Sequence, residues 1–194
     1  LSQAGDSASI TLVGRSARVM SNIVSETVSN ALIKLHKEKG INFAFGAGVD
    51  EINGEGGKVN GITLSDGSKL AADVVILGTG VAPRTELLDA LNAPDGVQVD
   101  EHLQLRDGVY ALGDIAKATN QMGRMRIEHW RVALQHGMVT AAAILGEDDV
   151  NSLEERIPFF WTAQYGKSLR YSGHAATPNN NILFGSPDTL DYIE

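Results

Sequence analysis

The sequence predicts an α/β fold in which an antiparallel meander interrupts a parallel sheet. A short β-branched apolar run at residues 9–13 and a strand-like run at 41–45 flank a helical pattern at 21–39. A strand, a helix and a strand in this order imply a crossover connection and parallel pairing. Extended runs between residues 49 and 77 are instead joined by short glycine-rich connections, which is typical of hairpins. A second long helix, rich in small residues, is predicted at 128–145.

The first predicted helix depends on its apolar periodicity and its ends. Apolar residues recur there at helical spacing, at Ile23, Val24, Val28, Leu32 and Leu35. Ser21 is the expected N-cap, and Gly40 is expected to end the helix. Residues 1–4 look like the end of another helix stopped by Gly5, so we expect the chain to begin inside a fold.

Shorter elements are expected along the rest of the chain. Strands are predicted at 49–52, 58–64, 69–77, 97–99 and 109–112, with a short helix at 86–92 and short strands from Pro158 onward. Gly146 is expected to end the long helix at 128–145.

Charge and composition exclude several classes of function. The formal net charge of −8 repels phosphate backbones, so no nucleic-acid partner is expected. The acidity is either a solvated face or a site for a basic partner. Without cysteine, the chain can hold no disulfide, thiolate metal site or redox-active cysteine pair. No apolar run reaches the roughly 18 residues of a membrane helix. We expect an intracellular, cytoplasmic protein, with a mitochondrial location as the alternative.

Gly113 and Asp114, directly after a predicted strand, form the first candidate site. Ligands of open α/β sheets lie at the carboxyl ends of strands. Glycine lets a cofactor approach the main chain, and a carboxylate accepts hydrogen bonds from a sugar hydroxyl. The same dipeptide can also be an ordinary turn, so these residues alone leave both interpretations open.

Five stretches, taken in order, resemble motifs of a single family. They are LGTGVAP at 77–83, VYALGD at 109–114, RIEHW at 126–130, PFFWT at 158–162 and YGKSLRYSG at 165–173. They resemble the FAD- and NAD(P)-dependent pyridine nucleotide-disulfide oxidoreductase superfamily, in its ferredoxin-reductase and apoptosis-inducing-factor-like branch. The last stretch resembles the subgroup whose members often carry a Rieske iron–sulfur domain upstream.

The resemblance implies six residues on the flavin side: Gly113, Asp114, Glu128, His129, Trp130 and Trp161. Asp114 would bind the ribityl chain of FAD, with Gly113 allowing its approach. The start of the helix at His129 would direct N–H groups toward the pyrimidine ring, where a reduced flavin is negative. Trp161 would lie beside the isoalloxazine, and a core aromatic residue is the alternative.

Candidate residues on the NAD(P)H side are Gly14, Arg15, Arg18, Gly78, Thr79 and Gly80. At the end of the first strand of a Rossmann unit, an acidic residue binds the ribose 2′-OH of NADH, whereas an arginine accommodates the 2′-phosphate of NADPH. Gly14 stands where NADH-using relatives commonly have glutamate, and two arginines follow it. We therefore expect NADPH use or dual use, with solvated loop arginines as the alternative.

The resemblance also implies a division into domains. Residues 1–78 would be an incomplete, Rossmann-like NAD(P)H-binding domain containing the meander. Residues 79–150 would be the returning part of the FAD-binding domain, and 151–194 the start of an α+β C-terminal domain. No Gly-x-Gly-x-x-Gly opens a helix in this sequence. Both pyrophosphate-binding loops are therefore expected to be missing, and the isolated chain to be inactive.

The expected function is hydride transfer from NAD(P)H to FAD, followed by electron delivery to an iron–sulfur protein, a quinone or oxygen. This chemistry needs alignment rather than a proton-transfer pair, so no catalytic residue is assigned. A non-catalytic, apoptosis-linked interaction protein and an inactive truncated fragment are the alternatives. His36, His102 and His136 are expected on surfaces and His174 stands alone, so no metal site is expected.

Overall fold

The computed structural model describes residues 8–91, 93–120, 123–147, 153, 157–173 and 181–194. It confirms the predicted α/β class, and its contacts define two compact units. The first unit is Leu1–Gly78 with Ala176–Glu194, and the second is Thr79–Ala175. The expected helix end at residues 1–5 and the lone His174 lie outside the described residues. The division into three domains stays a prediction.

The first unit contains the expected parallel strand pair. Strand β1 (Ile10–Gly14) pairs in parallel with β2 (Ile41–Phe45). Helix α1 (Glu26–Glu38) connects them and packs on β2, where the ring of His36 meets the edge of the Phe43 ring. The strand–helix–strand prediction is thereby confirmed.

Helix α1 begins later than predicted, because Ser25 rather than Ser21 is its N-cap. The backbone N–H of Val28 donates to the Ser25 hydroxyl oxygen at 3.2 Å. The residues before Ser25 form a turn instead. One contact that supports this turn is made by Ser29, which is fully buried and donates its hydroxyl to the carbonyl of Val19 at 2.7 Å.

The predicted antiparallel meander is present. Strand β4 (Lys58–Leu64) lies between β3 (Val49–Glu55) and β5 (Lys69–Ala71). Gly56 and Gly57 join β3 to β4 with φ values of +59° and +78°. Two successive residues with positive φ match the type I′ turn, whose twist suits a two-residue hairpin.

The third predicted strand of the meander is shorter than expected. Strand β5 ends at Ala71, and residues 74–77 form no strand. Val74, Ile76 and Leu77 are 74%, 65% and 61% exposed. An apolar run becomes a strand only where a second strand offers N–H and C=O partners, and none of the described residues does so here.

The second unit is built around a small mixed sheet and a hairpin. Strand β9 (Ala116–Asn120) pairs in parallel with β6 (Val97–Gln98) and antiparallel with β10 (Gly123–Met125). Strands β7 (Gln104–Arg106) and β8 (Val109–Tyr110) form the hairpin. The core of the unit is apolar and includes Val97, Val99, Leu103, Ala111, Ala116, Ala118, Val139 and Leu153.

Helix α2 (Trp130–Leu145) covers this core. It begins slightly later than predicted, with His129 as N-cap, and ends as expected at Gly146, which has φ +72°. The predicted helix at 86–92 is a short 3-10 helix, Glu86–Leu91. Among the described residues, no helix is long and apolar enough to cross a membrane.

Two hairpins complete the described chain. Strands β11 (Phe159–Gln164) and β12 (Lys167–Ser172) pair in the second unit. Strands β13 (Phe184–Ser186) and β14 (Asp191–Ile193) belong to the first unit. There the Ser25 hydroxyl donates to a carboxylate oxygen of Glu194 at 2.7 Å, next to the start of α1.

Candidate functional site

The turn that follows β8 is held from both sides by side chains. Gly113 has φ +74°, a value that favours glycine, and opens a 3-10 turn containing Asp114. The N–H of Gly113 donates to Nδ1 of His136 at 3.1 Å. The carbonyl of Asp114 accepts from Nη1 of Arg126 at 3.2 Å. Both bonds engage the main chain, so they fix the turn while the exposed Asp114 carboxylate takes no part in either.

Arg126 is the centre of a charged network. Its Nη1 also donates to Oε1 of Glu128 at 2.5 Å, and its Nε lies 3.5 Å from Oδ1 of Asp95. Lys117 Nζ lies 2.5 Å from the other oxygen of Asp95. The hydrogen bond that Arg126 donates to Glu128 raises the pKa of Arg126. Lys117, and to a smaller extent Arg126, lowers the pKa of Asp95. The buried Arg126 Nε has no hydrogen bond of good geometry among the described residues, and the nearby Asp95 carboxylate stabilises its charge.

Gly96 makes room for this network. Its φ is +90°, and a Cβ atom there would lie 2.6 Å from the Ile115 carbonyl oxygen and 2.7 Å from Cδ of Arg126. No side chain fits such a position without moving the main chain. Asp95 and Gly96 are not among the candidate residues predicted from the sequence. An Asp-Gly pair between predicted elements is a turn signal that indicates a positive φ, and it could have drawn attention here.

The surface position expected for His136 is wrong. His136 lies on the buried face of α2 and is only 4% exposed. Burial lowers its pKa, and the charge of Asp114 opposes this effect. The spacing of Val132, His136 and Val139 is the i, i+4, i+7 pattern of a buried helix face, and this signal could have found it.

The first turn of α2 is exposed and positively polarised. Nδ1 of His129 accepts from the N–H of Arg131 at 3.2 Å and so caps the helix. The turn contains no acidic side chain, and the preceding Glu128 is paired with Arg126. The positive end of the helix dipole is therefore not neutralised from within the turn. Trp130 is 66% exposed at the same place.

Trp161 is 61% exposed, so the alternative of a core aromatic residue is wrong. Phe159 lies two residues before Trp161 on β11, and the centre of its ring is 5.5 Å from the guanidinium carbon of Arg131. Trp161 projects from the same face of β11 as Phe159, because side chains alternate along a strand. This face of β11 is therefore the one that meets the start of α2.

The end of β1 places two arginines after Gly14, whose carbonyl accepts from the N–H of Gly46 at 3.0 Å. Arg15 is exposed, and its side chain lies over Gly48, where an added Cβ would be 3.2 Å from Arg15 Cγ. Arg18 is partly buried, and its buried Nε has no hydrogen-bond partner. A buried N–H without an acceptor is costly.

The remaining predicted residues lie where the two units meet along the chain. Gly78 ends the first unit and Thr79 begins the second. All three residues of the 78–80 stretch are exposed, and Gly80 has φ +87°. Within the part of the chain that the structure describes, no group of His, Asp and Glu side chains could hold a metal ion.

Comparison with known proteins assigns the chain to a family. Residues 1–137 match the pyridine nucleotide-disulphide oxidoreductase family, and the chain belongs to it. Within this family it falls in the branch of ferredoxin reductases and apoptosis-inducing-factor-like proteins, as the motifs predicted.

Individual relatives agree with this placement. Rhodocoxin reductase of Rhodococcus erythropolis is 30% identical over 93% of this chain and 43% of its own length. Apoptosis-inducing factor 3 of Mus musculus is 30% identical over 88% of this chain and 29% of its own. The crystal structure of the ferredoxin reductase for the CYP199A2 system from Rhodopseudomonas palustris is similar at a TM-score of 0.85 and 30% identity, over 95% of this chain and 46% of that one. The chain thus spans less than half the length of these relatives.

Proposed function

We propose that this chain is part of an FAD-dependent oxidoreductase that takes a hydride from NAD(P)H and passes electrons to an iron–sulfur protein. The observation that carries the proposal is the turn of Gly113 and Asp114, which is clamped by Arg126 and His136 while its carboxylate remains exposed. The family and the named relatives support the same activity.

The polar and aromatic groups of the second unit are suited to binding a flavin. The exposed carboxylate of Asp114 can accept hydrogen bonds from the hydroxyls of a ribityl chain, and Gly113 offers no side chain to obstruct it. The start of α2 at His129 and Trp130 offers a positive helix end with no acidic neighbour in its first turn. Such an end favours the negative charge near N1 and O2 of a reduced flavin. Trp161 supplies an exposed aromatic face on β11.

The flavin, when bound, supplies the hydride-accepting and electron-donating chemistry. The residues of this chain would bind and orient it and balance its charge. Arg126 would keep the Asp114 main chain in place. Glu128 holds Arg126 by a charged hydrogen bond, so we assign it a supporting role rather than a direct contact.

For the nucleotide, we infer a preference for NADPH over NADH, or use of both. Arg15 is exposed and Arg18 has a buried N–H without an acceptor, whereas Gly14 offers no carboxylate to repel a phosphate. Guanidinium groups bind phosphate through charge-assisted, often bidentate hydrogen bonds. Gly78, Thr79 and Gly80 remain proposed nucleotide-side residues on the strength of the resemblance.

The iron–sulfur acceptor is inferred from the solved relative that is described as a ferredoxin reductase. A Rieske domain encoded upstream would be an acceptor within the same protein, and an intracellular location would suit either arrangement. Reduction of an added ferredoxin by NADPH or NADH, measured with the complete reading frame, tests the acceptor. Transfer to oxygen or a quinone alone would contradict it.

Flavin content tests the central proposal. The protein, expressed with its complete reading frame, should be yellow, with absorbance near about 450 nm from oxidised flavin. Asp114→Asn should weaken FAD binding by about 10-fold or more, since hydrogen bonds to charged groups contribute about 1.5–3 kcal/mol. Asp107→Asn, in the exposed turn of the β7–β8 hairpin, is the matched control and should leave the affinity unchanged. A colourless protein would favour the interaction-protein or inactive-fragment alternatives.

A further inference from the structure

The imidazole of His136 accepts a hydrogen bond from the main chain of the candidate flavin turn, which contains Gly113 and Asp114. It lies on α2 with 4% of its surface exposed, and its Nδ1 is 3.1 Å from the donating N–H of Gly113. Gly113 is also the residue whose φ of +74° starts the turn. This hydrogen bond therefore acts on the main chain at the point where Asp114 is presented.

The direction of this hydrogen bond fixes the protonation state of the ring. A neutral imidazole has one acceptor nitrogen and one donor nitrogen, so accepting at Nδ1 places the proton of His136 on Nε2. When a second proton binds, both nitrogens become donors. Nδ1–H would then face the N–H of Gly113, and the hydrogen bond would be lost.

The surroundings of His136 disfavour its charged form. A cavity of about 20 Å³ adjoins the ring, with Met125, Ile127, Val132 and Leu153 among its apolar walls and Gln135 as a polar one. Asp114 on the turn is the charged group that acts on His136, and it favours the imidazolium. The side chains that β9, β10 and the residues around Pro158 contribute to this cavity are uncharged.

We propose that His136 is a positioning residue for the flavin turn: neutral, it anchors the N–H of Gly113, and protonated, it releases the segment that presents Asp114. The proposal rests on the proposed function, since the consequence of release is weaker flavin binding in acid. It adds a residue and a pH dependence that the flavin-contact residues do not include.

The sign of the pH effect follows from burial. Burial lowers the pKa of His136 in the folded chain below its ordinary value, while Asp114 partly restores it. Between the lowered folded value and about 6.5, the unfolded chain binds more protons than the folded chain. The stabilisation is therefore complete above about pH 6.5 and declines as the pH falls from there, and the hydrogen bond itself is lost as the pH falls through the lowered folded pKa.

Two variants of His136 distinguish the loss of its hydrogen-bond acceptor from the gain of a positive charge. His136→Gln keeps an acceptor oxygen but cannot titrate, whereas His136→Leu removes the acceptor and leaves the Gly113 N–H buried without one. His102→Gln is the control, because His102 is a half-buried histidine in the same unit whose backbone N–H, rather than its ring, bonds to Asp100.

The primary measurement is the hydrogen-exchange protection of the Gly113 amide by NMR. In the wild-type chain and in the His102 variant, protection should fall about tenfold or more between about pH 8 and an acid pH at which the nitrogen chemical shifts show that the His136 ring has taken up its second proton. In His136→Gln it should stay constant, and in His136→Leu it should be about tenfold lower at both pH values. Nitrogen chemical shifts should show the Nε2–H tautomer at neutral pH. Wild-type protection that stays constant while the His136 ring protonates, or an Nδ1–H tautomer at neutral pH, would overturn the proposal.

Flavin affinity then separates this proposal from the proposed function. With the complete reading frame, the FAD dissociation constant should rise in acid for the wild type and much less for His136→Gln. If the wild type binds no FAD at any pH, the proposed function fails, and Gly113 protection still decides the role of His136. If the leucine variant does not fold, the wild-type pH series and the glutamine variant decide it.

Discussion

A glutamate at position 14 is expected to shift nucleotide use from NADPH toward NADH. Gly14 ends β1, and an added Cβ would meet only the Phe45 ring, at ordinary distances of 3.6 and 3.8 Å. The glutamate should therefore be accommodated without a main-chain shift. Its carboxylate would repel a 2′-phosphate and accept a hydrogen bond from a ribose 2′-OH.

The expected change in kcat/KM depends on the hydrogen bond that Arg18 can make to the 2′-phosphate. Among the described residues its buried Nε has no hydrogen-bond partner, so the side chain can turn toward a phosphate and form a charge-assisted bond without breaking a hydrogen bond at Nε. Such a bond contributes about 1.5–3 kcal/mol, which corresponds to roughly 10- to 150-fold in kcat/KM. Arg18→Ala should lose about this factor for NADPH and little for NADH. Gly14→Glu should also raise kcat/KM for NADH.

The assay is steady-state turnover with each nucleotide, on the protein expressed with its complete reading frame. Arg84→Ala is the matched control, since the Arg84 side chain is 88% exposed and forms an ion pair with nearby Glu86. A wild type that clearly prefers NADH would refute the reasoning. So would an Arg18→Ala variant that loses the same factor with both nucleotides, because the arginine would then not act through the 2′-phosphate.

Two further predictions concern stability and are measured by urea unfolding. Gly96→Ala should destabilise the second unit by about 3 kcal/mol or more, since its Cβ would lie 2.6 Å from the Ile115 carbonyl oxygen. Gly108→Ala is the control, because Gly108 has φ +69° and its added Cβ would meet no described atom within 4 Å beyond its chain neighbours. It should cost only about 1 kcal/mol, for the unfavourable backbone conformation. Equal losses of stability in the two variants would contradict the clash at Gly96. Ser25→Ala should cost about 0.5–2 kcal/mol through loss of the N-cap bond from Val28, and an unchanged midpoint would contradict that role.

The sequence predicted most strands and helices because local pattern determines them. Strands β2 and β4 were predicted at their observed bounds, since each is a continuous run between turn residues. Errors arose where two local solutions compete. Ser21 and Ser25 are both good N-caps, and the choice of Ser25 accompanies the burial of Ser29, whose hydroxyl bonds to a carbonyl outside the helix. Such a tertiary contact leaves no local signal.

The candidate site also contains residues that the local sequence predicts and residues that it does not. Gly113 and Asp114 could be predicted because strand, glycine and carboxylate follow one another in the chain. Arg126 and His136 act on the main chain of this turn from residues 12 and 23 positions away. Their side chains contact N–H and C=O groups that every residue carries, so no residue type at the turn indicates them.

This arrangement explains why substitutions behind the turn should matter as much as those on it. The Asp114 carboxylate binds a ligand best when its main chain keeps one conformation, and the short 3-10 turn that contains it supplies little hydrogen bonding of its own beyond the bond from the Ala116 N–H to the Gly113 carbonyl. The hydrogen bond from the Gly113 N–H to His136 and the hydrogen bond from Arg126 to the Asp114 carbonyl restrain two successive residues of the turn. Arg126 stays charged in acid because a guanidinium does not lose its proton in this pH range, whereas His136 loses its acceptor on protonation. Acid should therefore release the Gly113 side of the turn while the bond to Asp114 persists, so the affinity for flavin should fall gradually rather than vanish.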